Sequence, residues 1–238
     1  MIYTRINKSL IKKINSSSKR ITIELYNTKP LNSELLKSIT NNNCIFKIYG
    51  GTKEIELLPR YIKRITYSKK EIEEIINIIE DIEKHMPNAK MDKILYIYDY
   101  IRKNIEYDPA EENDLLIRSL RILKTKRAVC SGYSLLFKEL LERQNIKCDY
   151  IKYYNHIWNH FCLNKKHYEV DITWDACVYK KCPSSNLHFF ANNKKLRKEH
   201  HYIKSCKNYL SNNLLKKYKL FPINLTREDQ SNFQSATI

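Results

Sequence analysis

Residues 128–137 read Ala-Val-Cys-Ser-Gly-Tyr-Ser-Leu-Leu-Phe. Cys130 stands just ahead of a helix-forming run, in which Tyr133, Leu136, Phe137, Leu140 and Leu141 recur three or four apart and predict one buried stripe. Downstream, residues 156–159 read His-Ile-Trp-Asn and residues 168–175 read Tyr-Glu-Val-Asp-Ile-Thr-Trp-Asp. A thiol, an imidazole and a carboxylate, in that order, are the parts of a nucleophilic cysteine site. A helix start suits a reactive thiol, because orphan backbone N–H groups and the helix dipole favour the thiolate. The Cys130 N–H is a natural oxyanion donor there, and small Ser131 and Gly132 would leave room for a substrate carbonyl. A neighbouring imidazole would protonate a leaving amine, and a carboxylate would orient that imidazole.

Asn164-Lys165 predicts a two-residue turn between strands 156–163 and 166–173. In that register Trp158 lies opposite Asp171, and His156, Trp158, His160 and Asp171 share one face. His156 and His160 are both diagonal neighbours of Asp171, so spacing alone does not choose between them.

Upstream, Ser68-Lys-Lys-Glu71 reads as a capping box ahead of Ile72, Ile75, Ile76 and Ile79 at helical spacing, with a stop before Pro87. A second helix is expected over about 91–104. Tyr107-Asp108-Pro109 ends it, since the residue before proline resists helix. A short third helix is expected over 115–123. Residues 20–26, 44–49 and 53–65 look extended, with Gly50-Gly51 as a turn, and 33–39 suits a short helix. Strands are expected at 148–153 and 187–191, a short helix at 193–200, and a polar, frayed tail beyond about 221. The expected division is a leading unit over 1–66, a catalytic domain over 67–205 and an extension over 206–238.

At 238 residues with 42% hydrophobic content, the chain can bury a sizeable core. Its net charge of +17 predicts attraction to acidic partners at low salt. The basic residues are scattered, and no nucleic-acid recognition module is legible, so no specific nucleic-acid partner is expected. No apolar run reaches about 18 residues and no signal peptide is visible, so neither a transmembrane segment nor export is expected. Seven cysteines, an odd number, suit free thiols in a reducing cytoplasm. Cys177, Cys182 and His188 match no four-ligand zinc spacing, so no metal or cofactor is expected. Of only 3 glycines, Gly132 is expected to serve close backbone approach or helix packing.

The three motifs together resemble the transglutaminase-like superfamily of papain-like cysteine enzymes, especially its compact microbial members. The resemblance rests on Val129-Cys130-Ser131-Gly132-Tyr133-Ser134, on His156-Ile157-Trp158-Asn159 and on Tyr168 to Asp175. The segment Tyr98 to Asp108 is similar to the stretch that precedes the cysteine in these proteins. The resemblance covers about 68–175. It implies an α+β fold, in which a helical half offers the cysteine from a helix start and an antiparallel sheet carries the other two groups; the strand and helix patterns over 1–66 add a small N-terminal α+β extension. It implies Cys130 as nucleophile, His156 as general acid/base and Asp171 as orienting carboxylate, and leaves His160 outside that set. Trp158, Gly132 and Tyr107 are the candidate substrate-binding residues. The implied chemistry is a thioester acyl-enzyme formed at an amide or acyl carbon of a protein or peptide, ending in transamidation, deamidation or hydrolysis. The alternative is a non-catalytic binding module that keeps the fold.

Overall fold

Reciprocal capping at Ser68 starts the half of the molecule that carries the thiol. In the computed structural model, the Glu71 N–H donates to Ser68 Oγ at 3.2 Å and the Ser68 N–H donates to Glu71 Oε2 at 3.0 Å. Helix α3 (Lys69–Lys84) follows, and it buries Ile72, Ile75, Ile76, Ile79 and Ile82, the stripe that the sequence spacing sets out. The structure describes residues 7–27, 32–50, 65–109, 121–153, 156–181 and 189–191. Expectations for 53–64, 110–120, Cys182, His188, 193–200 and the tail lie outside the described residues.

Ahead of α3, helices α1 (Lys8–Asn15) and α2 (Ser33–Lys37) accompany a sheet of β1 (Ile21–Asn27), β2 (Cys44–Gly50) and β3 (Ile65–Ser68). β1 and β2 run parallel, and β2 and β3 antiparallel. Helix α1 was not legible as an element. Asn7 caps it through a bond from the Leu10 N–H (2.9 Å), and tertiary packing buries Ile14 completely. β3 runs straight into α3 at Ser68, and the leading sheet shares one hydrophobic cluster with the helices that follow.

Beyond α3 come α4 (Lys90–Asn104), β4 (Glu106–Tyr107), α5 (Ile122–Thr125), β5 (Arg127–Ala128) and α6 (Cys130–Arg143). β4 and β5 form a short parallel bridge just ahead of Cys130. An antiparallel sheet follows, in the order β6 (Cys148–Tyr153), β7 (His156–Leu163), β8 (Lys166–Val170) and β9 (Phe189–Ala191). This is the α+β arrangement expected, with the cysteine at a helix start packed on an antiparallel sheet.

Two expectations about the secondary elements need correction. The strand expected to reach Thr173 ends at Val170, and helix α7 (Ile172–Lys181) begins in its place. The cause is local: the Trp174 N–H donates to Asp171 Oδ1 at 3.2 Å, and the Asp175 N–H donates to the Asp171 carbonyl at 3.2 Å. Asp171 thus caps a helix instead of extending a strand. Helix α6 is also buried nearly all round, including Ser131, Gly132, Ser134, Leu135 and Glu139, and not along one stripe. It is the central helix, with β7, α4 and α7 packed around it.

The turn at Asn164-Lys165 forms as expected, with both residues in the left-handed region (φ 51° and 61°). Two consecutive positive φ values are the signature of the primed hairpin turn, whose twist matches the strands it joins.

Gly132 sits on the α6 face against α5 and β5. A Cβ there would stand 2.7 Å from Ile122 Cδ1 and 2.8 Å from Ala128 Cβ. The space left by the missing side chain is therefore filled by protein, which corrects the expectation that it admits a substrate carbonyl. Gly132→Ala should lower stability by about 1–2 kcal/mol despite alanine's better helix propensity, because the Ala128 methyl cannot swing aside. Urea unfolding midpoints check this, and adding Ala128→Gly should recover part of the loss.

Candidate active site

Side-chain bonds between α6 and β7 bring the thiol and imidazole together. Ser134 Oγ donates to the Ile157 carbonyl at 3.1 Å, and Asn159 Nδ2 donates to the Ser134 carbonyl at 3.0 Å, all buried. Ser134 lies one turn after Cys130, and Ile157 and Asn159 lie one and three residues after His156. The pair therefore locks the helix start to the strand start. Tyr133 Oη donates to the Ile105 carbonyl at 2.9 Å and ties the same turn to the end of α4.

Within this frame His156 Nε2 lies 2.5 Å from Asp171 Oδ2. The imidazole also hydrogen-bonds the Cys130 side chain. With Nε2 directed at the carboxylate, Nδ1 is the ring nitrogen left for sulfur. Cys130 is half-buried, the His156 side chain is 16% exposed and Asp171 is 1% exposed. The three groups converge, although 26 residues separate thiol from imidazole and 15 separate imidazole from carboxylate.

The rings of Trp158 and Trp174 flank that imidazole, with centroids 5.8 Å and 5.4 Å from its own. Trp158 is buried, and its Nε1–H donates to the buried Glu169 Oε2 at 3.1 Å. Trp158 thus packs beside the His156 ring. Tyr107 is half-buried on β4, beside the strand that leads into Cys130.

His160 does not share the carboxylate. Its Nε2 lies 3.0 Å from His167 Nδ1, and the two rings stack near the hairpin turn. Strand twist and the ending of β8 at Val170 separate two histidines that spacing alone left equivalent. Among the described residues, no group of three metal-ligating side chains is placed to hold an ion. No described helix is long and apolar enough to cross a membrane.

Burial alone would lower the His156 pKa. The Asp171 charge and hydrogen bond, followed by Cys130, outweigh it and push the value up to about 10 from an ordinary 6.5. The imidazole is thus held as imidazolium at neutral pH. The sign for stability follows. His156 protonation stabilises the fold fully below about pH 6.5, less as pH rises, and not at all once pH passes about 10.

Residues 76–172 match the family model of the transglutaminase-like superfamily. The match takes in Cys130, His156 and Asp171. These residues form a transglutaminase-like core. No curated protein matches the chain. The core begins inside α3 and ends at the first residue of α7, so it spans both the helical half and the β6–β8 hairpins.

The sequence signalled Cys130, His156 and Asp171 within the transglutaminase-like core, but not the buried bonds around them. Glu169 lay inside a quoted motif without a role, and only the packing shows that it orients Trp158.

Asp171→Asn should lower the His156 pKa, because the charge that chiefly opposes burial is lost. Asparagine still caps α7, so the fold is expected to persist. NMR titration of the imidazole carbon-bound protons in both proteins measures the difference.

Proposed function

We propose that the protein is a thiol enzyme acting on an amide or acyl carbon of a protein or peptide, with Cys130 as nucleophile, His156 as general acid/base and Asp171 as its orienting carboxylate. The observation that carries this reading is the unbroken contact from the Cys130 thiol through the His156 ring to Asp171 at the start of α6. A positively charged imidazole facing sulfur offers a partner to its anion.

The steps balance with these three groups. The Cys130 sulfur adds to the carbonyl carbon, and negative charge develops on the carbonyl oxygen. Backbone N–H groups at the start of α6 point along the helix axis toward that charge. The tetrahedral intermediate collapses as His156 gives a proton to the leaving nitrogen. Ammonia or an amine departs, and a thioester remains. An incoming amine or water then gives up a proton to His156 and attacks the thioester. The products are a new amide or a carboxylic acid, with the thiol restored. Asp171 keeps the ring oriented throughout.

Within this reading Tyr107 contacts substrate beside the thiol, and Trp158 supports the ring from behind. The division into a leading unit over 1–66, a catalytic domain over 67–205 and an extension over 206–238 belongs to the same proposal, as does a cytoplasmic setting. The +17 charge favours acidic protein partners.

Iodoacetamide alkylation at neutral pH, read cysteine by cysteine by mass spectrometry, tests activation apart from access. Cys162 is exposed and Cys130 only half-buried, whereas Cys44 and Cys148 are buried thiols whose pKa values burial raises. Cys130 is expected to react faster than Cys162 despite its lesser exposure. A rate at or below that of Cys162 counts against an activated nucleophile. On an amide substrate panel with amine probes, Cys130→Ala should lose at least about a thousandfold in turnover. Wild type with no turnover and with peptide binding unchanged in Cys130→Ala would instead mark a binding module.

A further inference from the structure

Four residues beyond Asp171, helix α7 carries a second carboxylate that takes no part in the chemistry above. Asp175 is wholly buried. Tyr98 Oη, on α4 and also wholly buried, donates to Asp175 Oδ2 at 2.7 Å. One turn along α4, Arg102 is 1% exposed and attracts Asp175 electrostatically. Its guanidinium lies 5.2 Å from the Tyr98 ring centroid. Arg102 is itself steadied on α4, with Nη2 and Nε at 2.7 Å and 2.8 Å from Asp99 Oδ1. Asp175 lies past the last residue of the family match.

We propose that Asp175, clamped by Tyr98 and Arg102 of α4, is a positioning residue that fixes the first turn of α7 and so aims the Asp171 carboxylate at His156. The proposal rests on the assignment of His156 and Asp171 to the reacting set.

The geometry supports it link by link. The Asp175 N–H donates to the Asp171 carbonyl, and the Trp174 N–H donates to Asp171 Oδ1. The orientation of the Asp171 carboxylate therefore follows that of the first turn of α7. One oxygen accepts the cap hydrogen bond, and the other, Oδ2, meets His156. Whatever tilts the turn tilts that oxygen. The polar clamp to α4 in this turn is the Tyr98–Asp175 bond, with Arg102 beside it. Burial, then Asp175, push the Tyr98 phenol well above its ordinary pKa, so Tyr98 stays a donor across the working range. A buried carboxylate is an expensive way to pack a helix, and an apolar side chain of similar size often packs more stably. What the charge adds is direction, since a hydrogen bond weakens steeply with angle and distance where apolar contact does not.

Among the described residues, Asp99 and Asp175 act with Tyr98 and Arg102 on one another's charge. The groups that shift His156 are Asp171 and, from α6, Cys130. Tyr98→Phe changes no charge at neutral pH, so its effect on His156 runs through geometry.

The test is the His156 titration by NMR in Tyr98→Phe and Asp175→Asn, with thermal unfolding measured beside it. Tyr98→Phe removes one oxygen and keeps the ring packing, so it carries the test alone if Asp175→Asn does not fold. The His156 pKa is expected to fall by about one unit or more in each folded variant, as the Asp171 contact loosens. A wild-type His156 titration in a variant with a lowered melting temperature would overturn the proposal and leave Asp175 as a fold-holding residue only. The titration needs no turnover. A wild type inert on every amide sinks the enzymatic reading and leaves the link from Asp175 to His156 measurable, whereas an unmoved titration sinks this proposal without touching the enzyme.

Discussion

One carboxylate divides its two oxygens between fold and chemistry. Asp171 Oδ1 accepts the Trp174 N–H and so starts α7, while Oδ2 meets His156 Nε2. The side chain is almost fully buried, where an ionised group is tolerated only if its lone pairs are satisfied. The cap and the imidazolium both contribute to that. Each makes the other cheaper, because a carboxylate already ordered by the helix loses less freedom when it binds the ring. The same residue ends β8, since a chain that turns to cap a helix cannot continue a ladder.

The scaffold then has one further task, to deliver sulfur to the other side of the ring. The Ser134 and Asn159 bonds between α6 and β7 do this over a short lever, one turn from the thiol and three residues from the imidazole. Gly132 allows the same helix to settle on Ile122 and Ala128. The helix start is thus fixed on the sheet side by hydrogen bonds and on the α5 side by close packing. The transglutaminase-like core is the shared frame on which the proposed thiol chemistry depends.

Much of this was legible along the chain. The capping box at Ser68, the α4 helix, the cysteine at a helix start and the hairpin register across Asn164-Lys165 are local features, set by periodicity and turn chemistry. The α1 helix and the start of α7 were not legible. Helix α1 is short and polar, and it depends on burying Ile14. Residues 171–173 alternate well enough to pass as strand, and only the Asp171 cap decides otherwise. Gly132 was open between substrate access and packing until Ile122, a neighbour ten residues away, filled the space.

By itself the sequence determined the inventory and its order: a thiol before a helix, an imidazole on a strand and a carboxylate after the hairpin. It determined these because helix starts, strand alternation and two-residue turns are governed by neighbours within a few residues. Spacing left His156 and His160 equivalent toward Asp171, and the motif resemblance pointed to His156; only the tertiary structure decided that Trp158 and Trp174 flank the ring, and that Tyr98 reaches Asp175 across 77 residues of chain. Those choices turn on strand twist, on where β8 ends and on how helices pack, quantities that arise from all contacts acting together.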